Sequence, residues 1–592
     1  GMLGQDRPWP KEPPACRVAR RIQRRDYVVE CLVLETGPGI YATANFYIPR
    51  SGKGPYPVII YQSGHSGMGI YGNKTKFKHH GAWFAARGIC VLILDTIELG
   101  ELKVTHHGVY SNQWYDWYSC GYSPLAAEVY NARRVIDYLG TRREVDIEKV
   151  GATGISGGGV CTFFLTLLDE RVKAAAPVSG VCSSEGQIAG RLAVLHCDCM
   201  YPVNSGGLLF AEMGALAAPR PFLLCNADQD PLFPQPYFEQ LVGKMGDIYR
   251  LYGAESELRT AVVPGGHADS EAIRLPVYAF FFKEFLGIDT VFTEHGAVDT
   301  LPNEELVCMR GGFPLDERLT RVHEEFMPRA CFIQGAAPGR LSELSGILRR
   351  EVFNFFPETE TPFEPQWEDG SPVSGRSIKN VSYNSPFGDL KVKGIYSLPP
   401  GSGGREKKLP AVLVLQEPWY QNQWWGGYTR AEGYDWSERA VLVIETLDIG
   451  SRAVDDSLRH QMIRQANIAG FSFDGMRVCE ILRSLEFLRT LPEVDPEGIT
   501  VLGAGAMGIN GLYAAFLDGR VERVVLREPV GSHLEGPYYL GILTHTDIPE
   551  IVSLMAHRVR VLGSAPLEIA EALEEAMQGK AFQFPNIEGC LE

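Results

Sequence analysis

Residues 150–165 read Val150-Gly151-Ala152-Thr153-Gly154-Ile155-Ser156-Gly157-Gly158-Gly159-Val160-Cys161-Thr162-Phe163-Phe164-Leu165. A strand-like run ends at a glycine, a serine follows two residues later, three more glycines succeed it, and an apolar helix-like run begins. Gly-x-Ser-x-Gly in a strand–turn–helix context sets the serine on a sharp turn. Side chains two positions to either side would collide there with the adjoining strand and helix. The hydroxyl then stands at the end of a sheet, and the Gly157 amide opens a helix whose N-terminus favours a developing negative charge. Ser156 is the candidate nucleophile and Gly157 a candidate oxyanion donor; the bland alternative is a glycine-rich strand–helix turn.

Working outward, short β-branched runs alternate with longer amphipathic ones. The strand candidates are Tyr27–Glu35, Ile40–Ile48, Val58–Gln62, Cys90–Asp95, Val150–Gly154, Ala174–Val178, Pro221–Asn226 and Thr260–Val263, with helices over Leu125–Leu139 and Val160–Leu168. This alternation predicts an α/β domain, a mostly parallel sheet flanked by helices. At 592 residues the chain exceeds one core. Residues 291–379 are rich in Pro, Glu and Thr and read as a connector with a helix near Leu341–Arg350.

Beyond it the first pattern returns. Val91-Leu92-Ile93-Leu94-Asp95-Thr96 with Gly100 is echoed by Val441-Leu442-Val443-Ile444-Glu445-Thr446 with Gly450. Val145-Asp146 is echoed by Val494-Asp495, and Leu168-Asp169-Glu170-Arg171-Val172 by Leu517-Asp518-Gly519-Arg520-Val521. The offset is 349 or 350 positions throughout, the mark of a fold present twice. The expected organisation is an N-terminal segment 1–26, a catalytic domain 27–290, a connector 291–379 and a second domain 380–592.

A serine hydroxyl needs a base. Downstream of Ser156, Pro221–Asn226 leads into Ala227-Asp228-Gln229-Asp230-Pro231-Leu232-Phe233-Pro234, and Thr260–Val263 into Pro264-Gly265-Gly266-His267-Ala268-Asp269. Acid and histidine thus follow the serine on loops at strand ends. His267 is the candidate base, its alternative a surface histidine. Asp230 is favoured as the acid, with Asp228 its competitor. The loop Gln62-Ser63-Gly64-His65-Ser66-Gly67 offers a second oxyanion amide at His65, whose ring otherwise walls the pocket beside Gly64.

Residues 56 to about 287 resemble the acetyl-xylan-esterase-like and dienelactone-hydrolase-like branch of the α/β-hydrolases. The resemblance is carried by Gly154–Gly159, Ala218-Pro219-Arg220-Pro221, Asp230-Pro231-Leu232-Phe233-Pro234 and His267. Dienelactone hydrolases carry cysteine where this chain has Ser156. The resemblance implies an α/β-hydrolase-type domain and a carboxylic ester hydrolase forming an acyl-enzyme; with the repeat, two such domains are expected in tandem. The favoured substrate is a short acyl ester, such as an O-acetyl group on a carbohydrate. The alternatives are a peptidase of the prolyl-oligopeptidase type, for whose propeller the N-terminal segment leaves no room, and a non-catalytic two-lobed binding protein.

Other features weigh less. His196-Cys197-Asp198-Cys199 has ligand-type residues but no second pair at zinc spacing, so no metal is expected and a pocket-bordering segment containing His196 and Asp198 is. No metal or organic cofactor is required. His79-His80 and His106-His107 read as surface or loop pairs. Trp114 and Trp117 either stack on a sugar or pack their own insertion.

In the second copy the elbow becomes Gly503-Ala504-Gly505-Ala506-Met507-Gly508, so Gly505 stands for Ser156. The string also matches a dinucleotide fingerprint with Glu528 downstream, but several strands precede it. Gln416-Glu417-Pro418 lacks the oxyanion amide at its proline, Gly563-Ser564-Ala565-Pro566 has no acid, and no histidine follows His557. The second domain is expected to be catalytically degenerate.

Composition bounds partners. A net charge of -16 and few clustered cations disfavour a nucleic-acid backbone. No apolar run reaches a membrane span, and an assembly of identical subunits is left open. Thirteen cysteines, several in strand-like runs, read as buried thiols of a reducing compartment. Gly1 before Met2 looks left from a tag. With Met2 as the native start the expected location is cytoplasmic; with a leader removed it is export.

Overall fold

The computed structural model describes residues 10–97, 99–102, 105–293, 298–310, 312, 314, 316–326, 339–359, 361–402, 407–416 and 437–577. It divides into two compact units. The first comprises Gly1–Trp114, Tyr122–Asn204 and Leu208–Met327, the second Tyr115–Gly121, Ser205–Gly207 and Pro328–Glu592. No helix among the described residues is long and apolar enough to cross a membrane.

Nine strands form the first sheet: β1 (Ala15–Gln23), β2 (Tyr27–Gly37), β3 (Ile40–Pro49), β4 (Tyr56–Gln62), β5 (Cys90–Leu94), β6 (Val145–Ile155), β7 (Val172–Val178), β8 (Phe222–Ala227) and β9 (Leu258–Val263). Their spatial order is β1-β2-β3-β5-β4-β6-β7-β8-β9. β4 to β9 run parallel and β1 to β3 antiparallel, β3 pairing antiparallel with β5. The central strands are apolar runs buried along their length, as a sheet covered on both faces requires. β4 and β5 exchange places in the order, so the chain leaves β4 to one side and β6 to the other. Loops at the carboxyl ends of the strands open a crevice at such a reversal.

One face of the sheet packs Tyr47, Ile59, Val91 and Ile93 against helices Lys78–Ala85 and Glu271–Phe281. Trp83 stacks on Tyr278 at 4.1 Å between ring centroids. Gly81 sits where the helix crosses β3, and a Cβ there would lie 2.4 Å from the Tyr47 ring.

The second sheet has eight strands: β10 (Gln366–Asp369), β11 (Ser377–Asn384), β12 (Lys391–Leu398), β13 (Leu409–Leu415), β14 (Ala440–Glu445), β15 (Val494–Ala504), β16 (Arg523–Arg527) and β17 (Val559–Leu562). The order β10-β11-β12-β14-β13-β15-β16-β17 repeats that of β1 to β8. Among the described residues nothing follows β17 in the place of β9. Side chains repeat with the strands. Asp169 meets Arg171 and Arg133, while Asp518 meets Arg520 and Arg489. Arg220 donates to the carbonyls of Asp169 and Val172, as Arg558 does to those of Gly519 and Val521. The chain therefore carries two α/β domains of one topology.

Two strands escaped the sequence pattern. β1 lies in the segment 1–26 and β10 in the connector, and each pairs antiparallel at a sheet edge. Both are polar (Ala15-Cys16-Arg17-Val18-Ala19-Arg20-Arg21-Ile22-Gln23 and Gln366-Trp367-Glu368-Asp369), as edge strands are. Their hydrophobic periodicity is correspondingly weak.

Helix propensity alone predicts that Gly81→Ala stabilises the first unit by about 1 kcal/mol. The contact with Tyr47 reverses the sign. A loss of about 1–3 kcal/mol is expected in urea unfolding followed by tryptophan fluorescence, and an unchanged or raised midpoint would contradict the packing.

Candidate active site

Ser156 lies between β6 and the helix Gly157–Leu168 with φ 60° and ψ −125°. Left-handed backbone costs a non-glycine residue about 1–3 kcal/mol and persists only where neighbours enforce it. Here the Ser156 amide donates to Val178 O at 3.0 Å, and its carbonyl accepts from Val160 N at 3.0 Å. Crowding explains the surrounding glycines. A Cβ on Gly154 would lie 2.4 Å from Gln62 O, and one on Gly158 would lie 2.2 Å from the same atom. Gly64, on the loop after β4, would place a Cβ 2.3 Å from Ile155 O. That loop and the elbow touch backbone to backbone, which brings His65 to the Gly157 end of the helix.

The loops after β8 and β9 supply acid and histidine. His267 Nδ1 and Asp230 Oδ2 are 2.8 Å apart. The other oxygen of Asp230 accepts from the amides of Leu232 at 2.9 Å and Phe233 at 3.2 Å. Burial raises the Asp230 carboxyl, but the hydrogen bond and charge of His267 and the Leu232 amide outweigh it and hold it below the ordinary carboxylate range. Asp228 does not meet the ring; its carboxylate accepts from Gly265 N at 2.9 Å and braces the histidine loop. Ser156, Asp230 and His267 thus stand on loops at the carboxyl ends of β6, β8 and β9.

The pocket candidates divide. His196 is buried, its Nε2 3.2 Å from Leu232 O and its ring 5.0 Å from that of Phe233, so it backs the acid loop. Asp198 accepts from the amides of Val109 and Tyr110 and anchors the short helix Gly108–Asn112. Trp114 is 39% exposed. Trp117 is 1% exposed, which fits the packing alternative and not a sugar-stacking face there.

Of the two histidine pairs expected on the surface or in loops, His106-His107 lies in a loop and His79-His80 in the helix Lys78–Ala85, and each pair has a buried member. His80 lies among Tyr61, Tyr278 and Asp269, with Nδ1 3.0 Å from Tyr278 Oη. Burial and the neighbouring His79 lower its pKa to about 4 against the pull of Asp269. His106 is also buried, its Nε2 3.1 Å from His65 Nε2 and 3.6 Å from Cys197 Sγ. Cys197 Sγ is 3.7 Å from His65 Nε2 and 3.1 Å from Cys199 Sγ. Burial opposes a Cys197 thiolate, but hydrogen bonding to Cys199, His106, His107 and His65 wins and holds the thiol well below its ordinary value. No local spacing relates 65, 106–107 and 197, so the sequence could not bring this cluster together. The His-Cys-Asp-Cys string, the His106-His107 pair and His65 were each visible in the sequence, but not their convergence.

In the second unit Gly505 has φ 49°, so the left-handed turn of Ser156 recurs without a side chain. A Cβ on Gly503 would lie 2.8 Å from Gly508 Cα, the helix–strand contact that Gly154 and Gly159 make in the first unit. The turn follows β15, an interior strand, as the repeat requires and a dinucleotide fold does not. Glu417 and Pro418 lie outside the described residues.

Comparison with known proteins gives one family match, to a model described as glucuronyl esterase, fungi, over residues 32–195. That span holds His65 and Ser156 but not Cys197, Asp230 or His267. The chain is 23% identical over 281 residues to YtaP of Bacillus subtilis (strain 168), whose name assigns it only to the hydrolases; the match covers 46% of this chain and 93% of that protein. Among solved structures, the methylesterase BT1017 is 25% identical with a TM-score of 0.44, covering 55% of this chain and 71% of the other. A glucuronoyl esterase from Solibacter usitatus is 14% identical with a TM-score of 0.38, covering 47% and 90%.

Two outcomes follow. Asp230→Asn should lower kcat by about 10⁴-fold by losing the imidazole orientation, with Asp228→Asn costing far less, in steady-state assays of ester hydrolysis; equal effects would disperse the acid's role. For stability, His80 titrates near 6.5 when unfolded and near 4 when folded. Between these values the unfolded chain binds the extra proton, so stability declines as pH falls from about 6.5 to about 4 and is unaffected by this group above that window. Urea midpoints across pH should show the decline, and His80→Gln should flatten it.

Proposed function

We propose that the first unit hydrolyses a carboxylic ester on a carbohydrate through an acyl-enzyme on Ser156. The chain is an ester-hydrolysing enzyme of the α/β-hydrolase type. The observation that carries the residue roles is the left-handed serine between strand and helix, on the same sheet edge as the 2.8 Å His267–Asp230 pair.

In this mechanism Ser156 Oγ attacks the ester carbonyl while His267 accepts its proton on Nε2. Asp230, held ionised, accepts from Nδ1 and fixes the tautomer. The Gly157 amide, with that of His65 beside it, faces the oxyanion. His267 then protonates the departing alcohol, and water releases the acid by the same steps in reverse. Nothing in the triad distinguishes an acetyl group on a sugar from an ester of a sugar acid, because the two differ in which side of the carbonyl carries the carbohydrate. The favoured substrate is the acetyl ester, from the resemblance around the elbow; the glucuronyl esterase match over residues 32–195 supports the uronic acid ester as the second reading.

The second unit retains the elbow's backbone while lacking the serine, and its sequence has neither the acid after β17 nor a later histidine. Its role is structural, in stability, assembly or access to the first unit.

Ser156→Ala should reduce hydrolysis of a nitrophenyl acetate by at least ~10³-fold. Adding Gly505→Ser to that variant should restore nothing, since the new hydroxyl has no base. Release of acetate from acetylated xylan against methanol from a methyl glucuronate separates the two substrate readings. Wild-type turnover in the alanine variant would move the nucleophile elsewhere.

A further inference from the structure

Ligand-type side chains converge beside the elbow from three separated stretches: His65 after β4, His106-His107 after β5, and Cys197 in the segment between β7 and β8. One ligand atom from each of these four residues lies within 4.8 Å of every other. The measured edges are 3.1 Å between His65 Nε2 and His106 Nε2, 3.7 Å from Cys197 Sγ to His65 Nε2, and 3.6 Å from Cys197 Sγ to His106 Nε2. A tetrahedron with metal bonds of ~2.0 Å to nitrogen and ~2.3 Å to sulfur has nitrogen–nitrogen edges of about 3.3 Å and nitrogen–sulfur edges of about 3.5 Å. The three measured edges match these, so one ion fits their centre with little movement.

Burial is graded in the way a site with an approach needs. Cys197 and His106 are buried, His107 is half-buried and His65 is exposed. The protein thus supplies a fixed base and an open side. Ring edges are also turned to one another, with centroids of His65 and His106 4.9 Å apart at 80° and of His106 and His107 4.9 Å apart at 83°. Three imidazoles and a thiolate form a borderline-soft set, suited to zinc and neighbouring first-row ions and poorly suited to calcium or magnesium.

We propose that His65, His106, His107 and Cys197 form a binding site for a zinc-class divalent ion beside the nucleophile elbow. The bound form carries a Cys197 thiolate and neutral imidazoles, so protons compete with the ion for these ligands and affinity falls in acid. The location has a consequence. A Cβ on Gly157 would lie 3.5 Å from His65 Nε2 and 3.4 Å from Cys199 Sγ. The ion's charge therefore stands close to the oxyanion amide; this consequence rests on the serine reading above, whereas the site itself does not.

The test is metal stoichiometry, read without any ester. The full chain, stripped by a chelator under reducing conditions, is titrated with cobalt(II) and then with zinc. One equivalent of cobalt should bind with a thiolate-to-metal charge-transfer band, which one equivalent of zinc abolishes. Cys197→Ser should lose the band, and His106→Ala should weaken binding by at least ~100-fold. His65→Ala changes an exposed side chain, so it keeps the test valid if the buried variants fail to fold; a weakening of at least ~10-fold is expected. Cys16→Ser, on β1, should bind as wild type. The proposal is overturned if no saturable band forms at one equivalent, if the band survives in Cys197→Ser, or if thiol titration finds Cys197 and Cys199 joined to each other. A stoichiometric ion in a chain inert towards every ester would leave the site standing and overturn the serine mechanism instead.

Discussion

The left-handed backbone at residue 156 is the constraint on which the chemistry proposed for the first unit depends. A strand that ends there must turn into its helix within the width of one sheet position, between the backbones of β4 and β7. No Cβ fits at 154, 158 or 159, since each would meet a backbone oxygen closer than 3 Å. Between these glycines only Ile155 and Ser156 carry side chains; Ile155 is buried, whereas Ser156 is half-buried. Gly505 repeats the turn at φ 49° with no hydroxyl to present. The twist is therefore a requirement of joining strand to helix in this topology, and the proposed nucleophile uses a geometry that the fold has already made.

The duplication separates what the topology needs from what the chemistry adds. Both units keep the Asp–Arg clamps at the end of the elbow helix, through Asp169 and Asp518, and both keep the arginine that ties the next strand to that turn. After Asp95 and Glu445, a carboxylate fills the turn so tightly that a Cβ at Gly100 or Gly450 would fall 2.2 or 2.3 Å from its oxygen. These are buried or half-buried charges with partners, and losing one partner would strand the other. The first unit adds β9 and the histidine loop. The second sheet, as described, stops one strand earlier, and the sequence beyond β17 holds no histidine.

Electrostatics divides the histidines of the first unit. His267 lies against a buried carboxylate whose second oxygen is occupied by two amides, so the ring is oriented from one side and open on the other. His80 is enclosed by aromatic rings and is kept neutral by burial. His65, His106 and His107 face a sulfur and one another. A residue type that is ambiguous in sequence thus acquires three different roles from its surroundings.

The sequence by itself determined the elbow, the α/β alternation, the 349–350 offset of the repeat and the order serine, acid, histidine. Each is written in local geometry: glycines where a Cβ cannot fit, apolar runs of strand length, loops that follow strands. Tertiary structure alone decided which aspartate meets His267, because two carboxylates two residues apart differ only in how the loop folds back through the amides of Leu232 and Phe233. It also buried Trp117, placed the polar strands β1 and β10 on sheet edges, and gathered His65, His106, His107 and Cys197. Loops far apart in the chain become neighbours through the strand order β5-β4-β6-β7, and that order comes from packing a twisted sheet between helices, which no short stretch of sequence encodes.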